Sequence, residues 1–235
     1  MKVWNWDGFW SYFTNGYLLE GVLVTIFLTV ITLFLGLILA LCLTLMRMSK
    51  WRAVTGFARF YVWIFRGTPL LVQLIIIYTG LPQLGLVRLS VFESAILGLV
   101  LNEAAYLSEI LRGGLLSVGA GQRDAAKAVG LTRAQTFILV IMPQALRVII
   151  PPLGNSVNGL LKTTSITSVI SMEELLRRGQ ILMQQRFEVL EIFIVVAIIY
   201  LVLTTIWEII QRQIEKHYGK AYGPVADKAL ARDAR

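Results

Sequence analysis

Long uncharged apolar runs alternate along this chain with short polar stretches. From Gly21 to Met46 there is no Asp, Glu, Lys or Arg, and a helix crossing a hydrocarbon core needs about 20 apolar residues. This run predicts a first spanning helix, tilted to accommodate its length. It is too long for the apolar core of a secretory leader and only Lys2 precedes it as a basic residue, so a retained helix is expected. Ahead of it, Trp4, Trp6, Phe9, Trp10, Tyr12 and Tyr17 make an aromatic, weakly polar stretch suited to the headgroup level. A second span is interrupted: Phe60 to Phe65 is apolar, Arg66-Gly67-Thr68-Pro69 breaks the pattern, and an uncharged stretch resumes at Leu70 towards Leu81-Pro82. The third, from Val91 to Leu111, carries Asn102, Glu103, Ser108 and Glu109, which must face protein or water rather than lipid. The fourth runs from about Pro143 through Leu161, punctuated by Pro151-Pro152, Gly154 and Gly159, and the fifth from about Phe187 to Ile210, with Glu188, Glu191 and Glu208 near its ends. The expected fold class is an all-α integral membrane protein of about five transmembrane helices.

Composition agrees: of 235 residues 57% are hydrophobic and 15% charged, and the mean hydropathy is +0.71, which excludes an ordinary water-soluble enzyme. Lys and Arg number 22 against 14 Asp and Glu, a net charge of +8. These cations are dispersed and accompany no nucleic-acid-reading module, so no nucleic-acid partner is expected; in a membrane chain they mark the loops held on the cytoplasmic side. Five spans put the termini on opposite sides. With the N-terminus outside, the inner segments hold fourteen cations, at 47, 50, 52, 59, 112, 123, 127, 133, 212, 216, 220, 228, 232 and 235, and the outer segments five, at 2, 88, 177, 178 and 186. An N-out, C-in arrangement is expected. The chain then divides into an outer interfacial segment (1–20), a transmembrane domain (21–215) with an inner loop at about 116–140, and a cytoplasmic tail (216–235) that is polar and partly disordered.

Several chemistries are missing. No G-x-x-x-x-G-K-[ST] loop occurs, so the chain is not its own P-loop ATPase. The sole histidine, His217, lies in the basic tail, which removes Ser-His-Asp catalysis and multi-histidine metal sites from the membrane region. A Ser-Lys pair from Ser156 or Ser165 with Lys162 is conceivable, but Ser and Thr in membrane helices usually bond backbone or neighbouring helices. No catalytic residue, metal or cofactor is assigned to this chain. Cys42, the one cysteine, excludes an intrachain disulfide and is expected to pack among its apolar neighbours.

The segment from Ser117 to Leu139 is too charged to cross and too rich in Ala and Leu for a disordered linker. Two short helices are expected, Gly119 and Gly121 breaking the incoming helix, Asp124 near the next N-terminus, Gly130 in a left-handed cap and Thr132 capping the second. Ala125, Ala126 and Ala128 leave a narrow surface able to slot into a groove on another protein.

Asp124-Ala125-Ala126, Gly130, Val140 and Met142-Pro143 fall in the register of E-A-A-x3-G-x9-I-x-L-P, with Asp for Glu, Val for Ile and Met for Leu. The segment thereby resembles the signature of ABC-importer permease subunits. Phe65 to Leu74, Glu103 to Gly114, Pro143 to Asn155 and Leu160 to Ser171 are similar to the polar amino-acid uptake branch, so the resemblance covers most of residues 15 to 215. It implies a type I (MetI-like) permease core in a bacterial inner membrane, paired with a second permease as homodimer or heterodimer. The implied partners are ABC ATPase subunits, through which ATP and Mg act, and a periplasmic amino-acid-binding protein. Gln122, Arg123, Asp124, Ala125, Ala126, Ala128, Gly130 and Leu131 would be the ATPase-coupling residues.

Pathway residues are expected where polar groups sit at membrane depth, because each must be paired or hydrated. Arg66, with Gly67 and Thr68, stands where a helix loses regular bonding, so a guanidinium and freed backbone groups could receive a carboxylate, or Arg66 could instead pair with Glu103 or Glu109. Gln73, Asn102 and Glu103 are expected beside it. Asn155, Ser156, Asn158, Lys162, Thr163, Thr164 and Ser165 would form the other wall, with irregular backbone after Pro151-Pro152. Members of that branch that carry cationic amino acids tend to place acids around this segment; Ser, Asn and Thr here imply a neutral or acidic amino acid, with an opine-like derivative as an alternative. An ion-gradient-driven transporter would also need a membrane acid such as Glu103, but it leaves the inner loop unexplained. Glu173-Glu174 and Arg177-Arg178 could pair along an outer helix or meet the binding protein.

Overall fold

The computed structural model describes residues 4–219. A short helix, α1 (Trp6–Tyr12), precedes α2 (Gly16–Arg47), α3 (Arg52–Gly67), α4 (Leu70–Gln83), α5 (Val91–Ser117), α6 (Ala120–Ala128), α7 (Arg133–Ile170), α8 (Leu175–Arg186) and α9 (Val189–Gly219). Four of these, α2, α5, α7 and α9, are long and apolar enough to cross a membrane, and α3 with α4 makes a fifth candidate bent by 104°. The expected interrupted span is therefore present, with its break after Gly67. Lys2 and the tail beyond 219, with the cations at 220, 228, 232 and 235, lie outside the described residues.

Leu28, Leu74, Ala95, Leu99 and Leu160 form one core cluster, and Leu18, Leu175, Ile192 and Val195 another beneath α1. The packed stripe of α2 is small and polar: Thr25, Thr29, Thr32 and Thr44 are buried, Thr25 Oγ1 accepts from Leu175 N at 3.3 Å, and Thr44 Oγ1 donates to Ala40 O at 2.7 Å and to Ser108 O of α5 at 3.2 Å. Hydroxyls that return to backbone carbonyls in this way let helices approach closely without stranding a donor in lipid. The opposite faces stay apolar and open, as at Phe27, Val30, Phe34 and Leu41, as a lipid-facing surface requires. Cys42, expected to pack, sits on the exposed side. Along α9, Ile192, Val195 and Val196 are buried while Leu201 and Val202 are exposed.

Proline shapes the helices differently from the expectation. Wide π-type turns occupy Ile76–Gly80 and Thr136–Ile141, just before Pro82 and Pro143. Proline brings no N–H and crowds the carbonyl four residues back; those carbonyls belong to Tyr78 and Leu139, both inside the wide turns. Pro151 and Pro152, by contrast, are absorbed within regular helix that continues to Thr163, and the irregular backbone comes later, as a 3₁₀ stretch from Thr164 to Ile170. Packing holds α7 there: Trp207 Nε1 of α9 donates to Gly154 O at 2.8 Å, and Gln211 lies so close over Gly154 that a Cβ would collide with it.

Around the start of α8, Glu174 bonds mainly to nearby backbone while Arg178 pairs over long range. Glu174 is fully buried and caps α8, accepting from Arg177 N at 2.8 Å, Leu176 N at 3.0 Å and Tyr200 OH at 2.7 Å. Arg178 instead reaches Glu20 at 2.6 Å and stacks over Tyr17, 4.4 Å from its ring centre. Burial pushes the Glu174 carboxyl above the usual range, although its three donors favour the charged form.

Candidate functional site

At the α3–α4 break, Thr68 and Pro69 are extended and the chain turns sharply. A break at membrane depth frees carbonyls that lipid cannot satisfy. Two side chains take them up. Gln73 Nε2 donates to Phe65 O and Thr68 O, each at 3.1 Å, and to Thr68 Oγ1 at 2.8 Å; Asn102 Nδ2 donates to Phe65 O at 3.0 Å and to Gln73 Oε1 at 3.1 Å. The carbonyls freed beside Arg66 are thus already engaged.

Arg66 itself projects into a cleft of about 610 Å³ bounded by the break, α5 and α7. From α5 come Asn102, Glu103, Tyr106, Glu109 and Ile110; from α7 come Pro152, Asn155, Ser156, Gly159, Leu160 and Thr163. These spacings trace one face of each helix. Glu109 is the electrostatic hub: it pairs with Arg47, holds Arg112 at 2.8 Å and meets Arg66 at 3.5 Å. The Arg66 guanidinium, 5.3 Å from the centre of the Tyr106 ring, keeps 44% of its side chain exposed. Glu103 is buried and accepts from Ser156. Of the two acids expected as possible partners, Arg66 thus meets Glu109.

The structure brings Arg66, Thr68, Asn102, Glu103, Asn155, Ser156 and Thr163 together on the cleft. It places Gln73 behind the wall, buried in the network just described. Gly67 ends α3, Asn158 is half-buried outside the lining, and Thr164 is fully buried with its hydroxyl on Leu161 O. Lys162 and Ser165 open onto another hollow, beside Tyr200 and Thr204. Tyr106 and Glu109 carry geometry that the residue-by-residue reading passed over as lining; the signal was the helical stripe running from 102 through 103 and 106 to 109.

On the loop between α5 and α7, α6 starts at the Gly119 cap and ends in a Schellman motif, with Gly130 N on Lys127 O and Leu131 N on Ala126 O, both at 3.0 Å, and Gly130 at φ +81°. Thr132 and Gln135 follow as a reciprocal capping box. The second expected short helix is not separate: it runs through the wide turn into α7. Asp124 lies mid-helix rather than in the first turn, and Gly121 lies within α6. Ala126 is buried and Arg123 and Leu131 half-buried, while Gln122, Asp124, Ala125, Ala128 and Gly130 are exposed.

A family model described as the binding-protein-dependent transport system inner membrane component matches residues 32–220. An arginine transport system permease protein of Corynebacterium glutamicum is 39% identical over 232 residues, covering 93% of this chain and 73% of the relative. An L-cystine transport system permease protein of Bacillus subtilis is 42% identical over 197 residues, covering 83% of this chain and 84% of its own. Among solved structures, one described as an amino acid ABC transporter with histidines superposes with a TM-score of 0.85 at 34% identity, covering 92% of this chain and all of that one.

Proposed function

This chain belongs to the binding-protein-dependent transport system inner membrane components, and from that premise we propose that it is the permease subunit of an ATP-driven amino-acid importer whose cleft forms one wall of the passage. The chain is a multi-pass inner-membrane protein with a type I permease core. What carries the substrate reading is the cleft itself, where a half-open guanidinium, Arg66, and the acids Glu103 and Glu109 share walls with the polar Thr68, Asn102, Asn155, Ser156 and Thr163 and with the apolar Leu70, Ile110 and Leu160. An amino acid is a zwitterion, so such a cleft offers a partner to each charged end. The polar, uncharged α7 wall suits a neutral or acidic side chain.

In this reading the N-terminus is outside and the chain does no catalysis. ATP with Mg is hydrolysed by a partner ATPase seated on the exposed face of α6, with Gln122, Arg123, Asp124, Ala125, Ala126, Ala128, Gly130 and Leu131 as the coupling segment. A periplasmic binding protein delivers the substrate, and a second permease completes the passage. The domain limits are 1–20, 21–215 and 216–235. ATP acts only through a difference in affinity between outward- and inward-facing arrangements.

The test is uptake of a labelled amino-acid panel, with an opine included, by vesicles containing the copurified complex. Arg66→Ala is expected to lower uptake at least tenfold while the ATPase still copurifies. Uptake unaffected by Arg66→Ala, or uptake of none of the panel, removes the cleft assignment.

A further inference from the structure

A second hollow lies beneath the inner segment, where α6 and the first turns of α7 meet the inner ends of α2 and α5. It has a volume of about 320 Å³ and is lined by three cations, Arg123, Lys127 and Arg133, together with apolar Leu115, Leu131 and Phe137. Arg123 Nε is buried there and, among the described residues, has no hydrogen-bond partner. A buried donor left unpaired is unfavourable, so the site is one that an acceptor would complete. The nearby acid does not fill that role: Asp124 approaches Lys127 only to 3.8 Å, with both side chains more than 70% exposed (74% and 73%), and an exposed pair of that kind neutralises little.

The surroundings define the missing partner. Phe137, Ile138 and Leu139 are 40%, 63% and 62% exposed, so the hollow opens beside an apolar strip at the wide turn of α7. A compact anion alone would use the cations and leave the apolar wall in water. An anionic head on an apolar stem satisfies both kinds of lining at once, and clustered Lys and Arg beside a spanning helix attract such lipids.

We propose that this hollow binds one anionic phospholipid, its phosphate held by Arg123, Lys127 and Arg133 and its first acyl segment laid along Leu115, Leu131 and Phe137. The lipid then bridges α6 to the root of α7, tying the docking segment to the bilayer. This site does not depend on what the cleft carries.

The full-length chain, purified in mild detergent with its copurifying subunits, is titrated with phosphatidylglycerol or with phosphatidylcholine of the same acyl chains, and bound lipid is counted by native mass spectrometry. One phosphatidylglycerol per chain is expected to be retained at about a tenfold lower concentration than phosphatidylcholine. Arg123→Gln combined with Arg133→Gln should bring that preference below about twofold. If the double variant does not fold, Lys127→Gln, on an exposed side chain, should still lower the preference about threefold. Equal retention of the two lipids, or an unchanged preference in the folded variants, overturns the proposal. Displacement by millimolar inorganic phosphate assigns the cations to a soluble anion and overturns it as well. Variants that keep the lipid but lose the ATPase would make the cluster a protein-docking surface instead.

Discussion

The chain interrupts its helices at Thr68–Pro69 and again between Val118 and Thr132, and the two interruptions are closed in opposite ways. The first is closed by side chains, partly from a distance: Gln73, five to eight residues on, and Asn102, 37 residues away on another helix, supply the donors that its carbonyls lack. The second is closed by its own backbone and by adjacent caps, through the Schellman bonds of Ala126 and Lys127 and the Thr132–Gln135 box. A break closed from a distance is fixed to the body of the protein and leaves its charged neighbour, Arg66, facing inwards. A break closed locally needs no neighbour and leaves a side-chain face free to be presented.

The contrast can be broken at either end. The largest effect is expected from Gly130→Trp, which places a bulky L-residue at φ +81° on the presented face. Uptake should fall to background while membrane insertion is retained; normal uptake would remove α6 from the coupling role. Next, Glu109→Ala leaves three guanidiniums facing one another without their shared carboxylate and should destabilise the folded chain by about 3 kcal/mol, read as a lower midpoint in detergent thermal unfolding. Asn102→Leu removes one of the donors at the first break and should cost about 1–2 kcal/mol in the same assay. The matching Gln135→Leu change at the second break, where the groups are exposed and water can replace the side chain, should cost less than about 0.5 kcal/mol.

The smallest effect concerns pH. The Glu174 carboxyl is raised in the folded chain, so the folded state holds its proton to a higher pH than the unfolded state does. Stability from this group is therefore greatest below the ordinary carboxylate value of about 4.3 and falls as pH rises through the raised one. The unfolding midpoint should rise modestly as pH is lowered across that window, and Glu174→Gln should flatten the trend; an unchanged slope would assign the trend to other groups.

What could be seen in the sequence tracks the same local–distant distinction. Gly130, Thr132 and the Arg66-to-Pro69 interruption were legible because their signals lie within a few residues of one another. The long spans were legible because an uncharged run is itself the signal. Asn102 as a donor to Phe65, 37 residues away, was not, because nothing in either segment names the other. Nor did the sequence show that α7 would run straight through Pro151-Pro152, since the restraint comes from Trp207, 53 residues beyond Gly154. The ion-pair partner of Arg178 was hidden for the same reason: helical spacing suggested Glu173 or Glu174, and Arg178 found Glu20 across 158 residues.

One consequence follows from the triple pairing of Glu109. A carboxylate with a single partner would be stranded in a low-dielectric interior if that partner turned away, and the turn would be opposed accordingly. Glu109 has spares. Were Arg66 to swing towards a carboxylate in the cleft, as proposed, Arg47 and Arg112 would remain on Glu109, so the loss would be one long contact at 3.5 Å rather than a naked charge. Redundancy on one side of the pair makes the other side exchangeable, and an arginine that can change partners cheaply is one that can grip and let go.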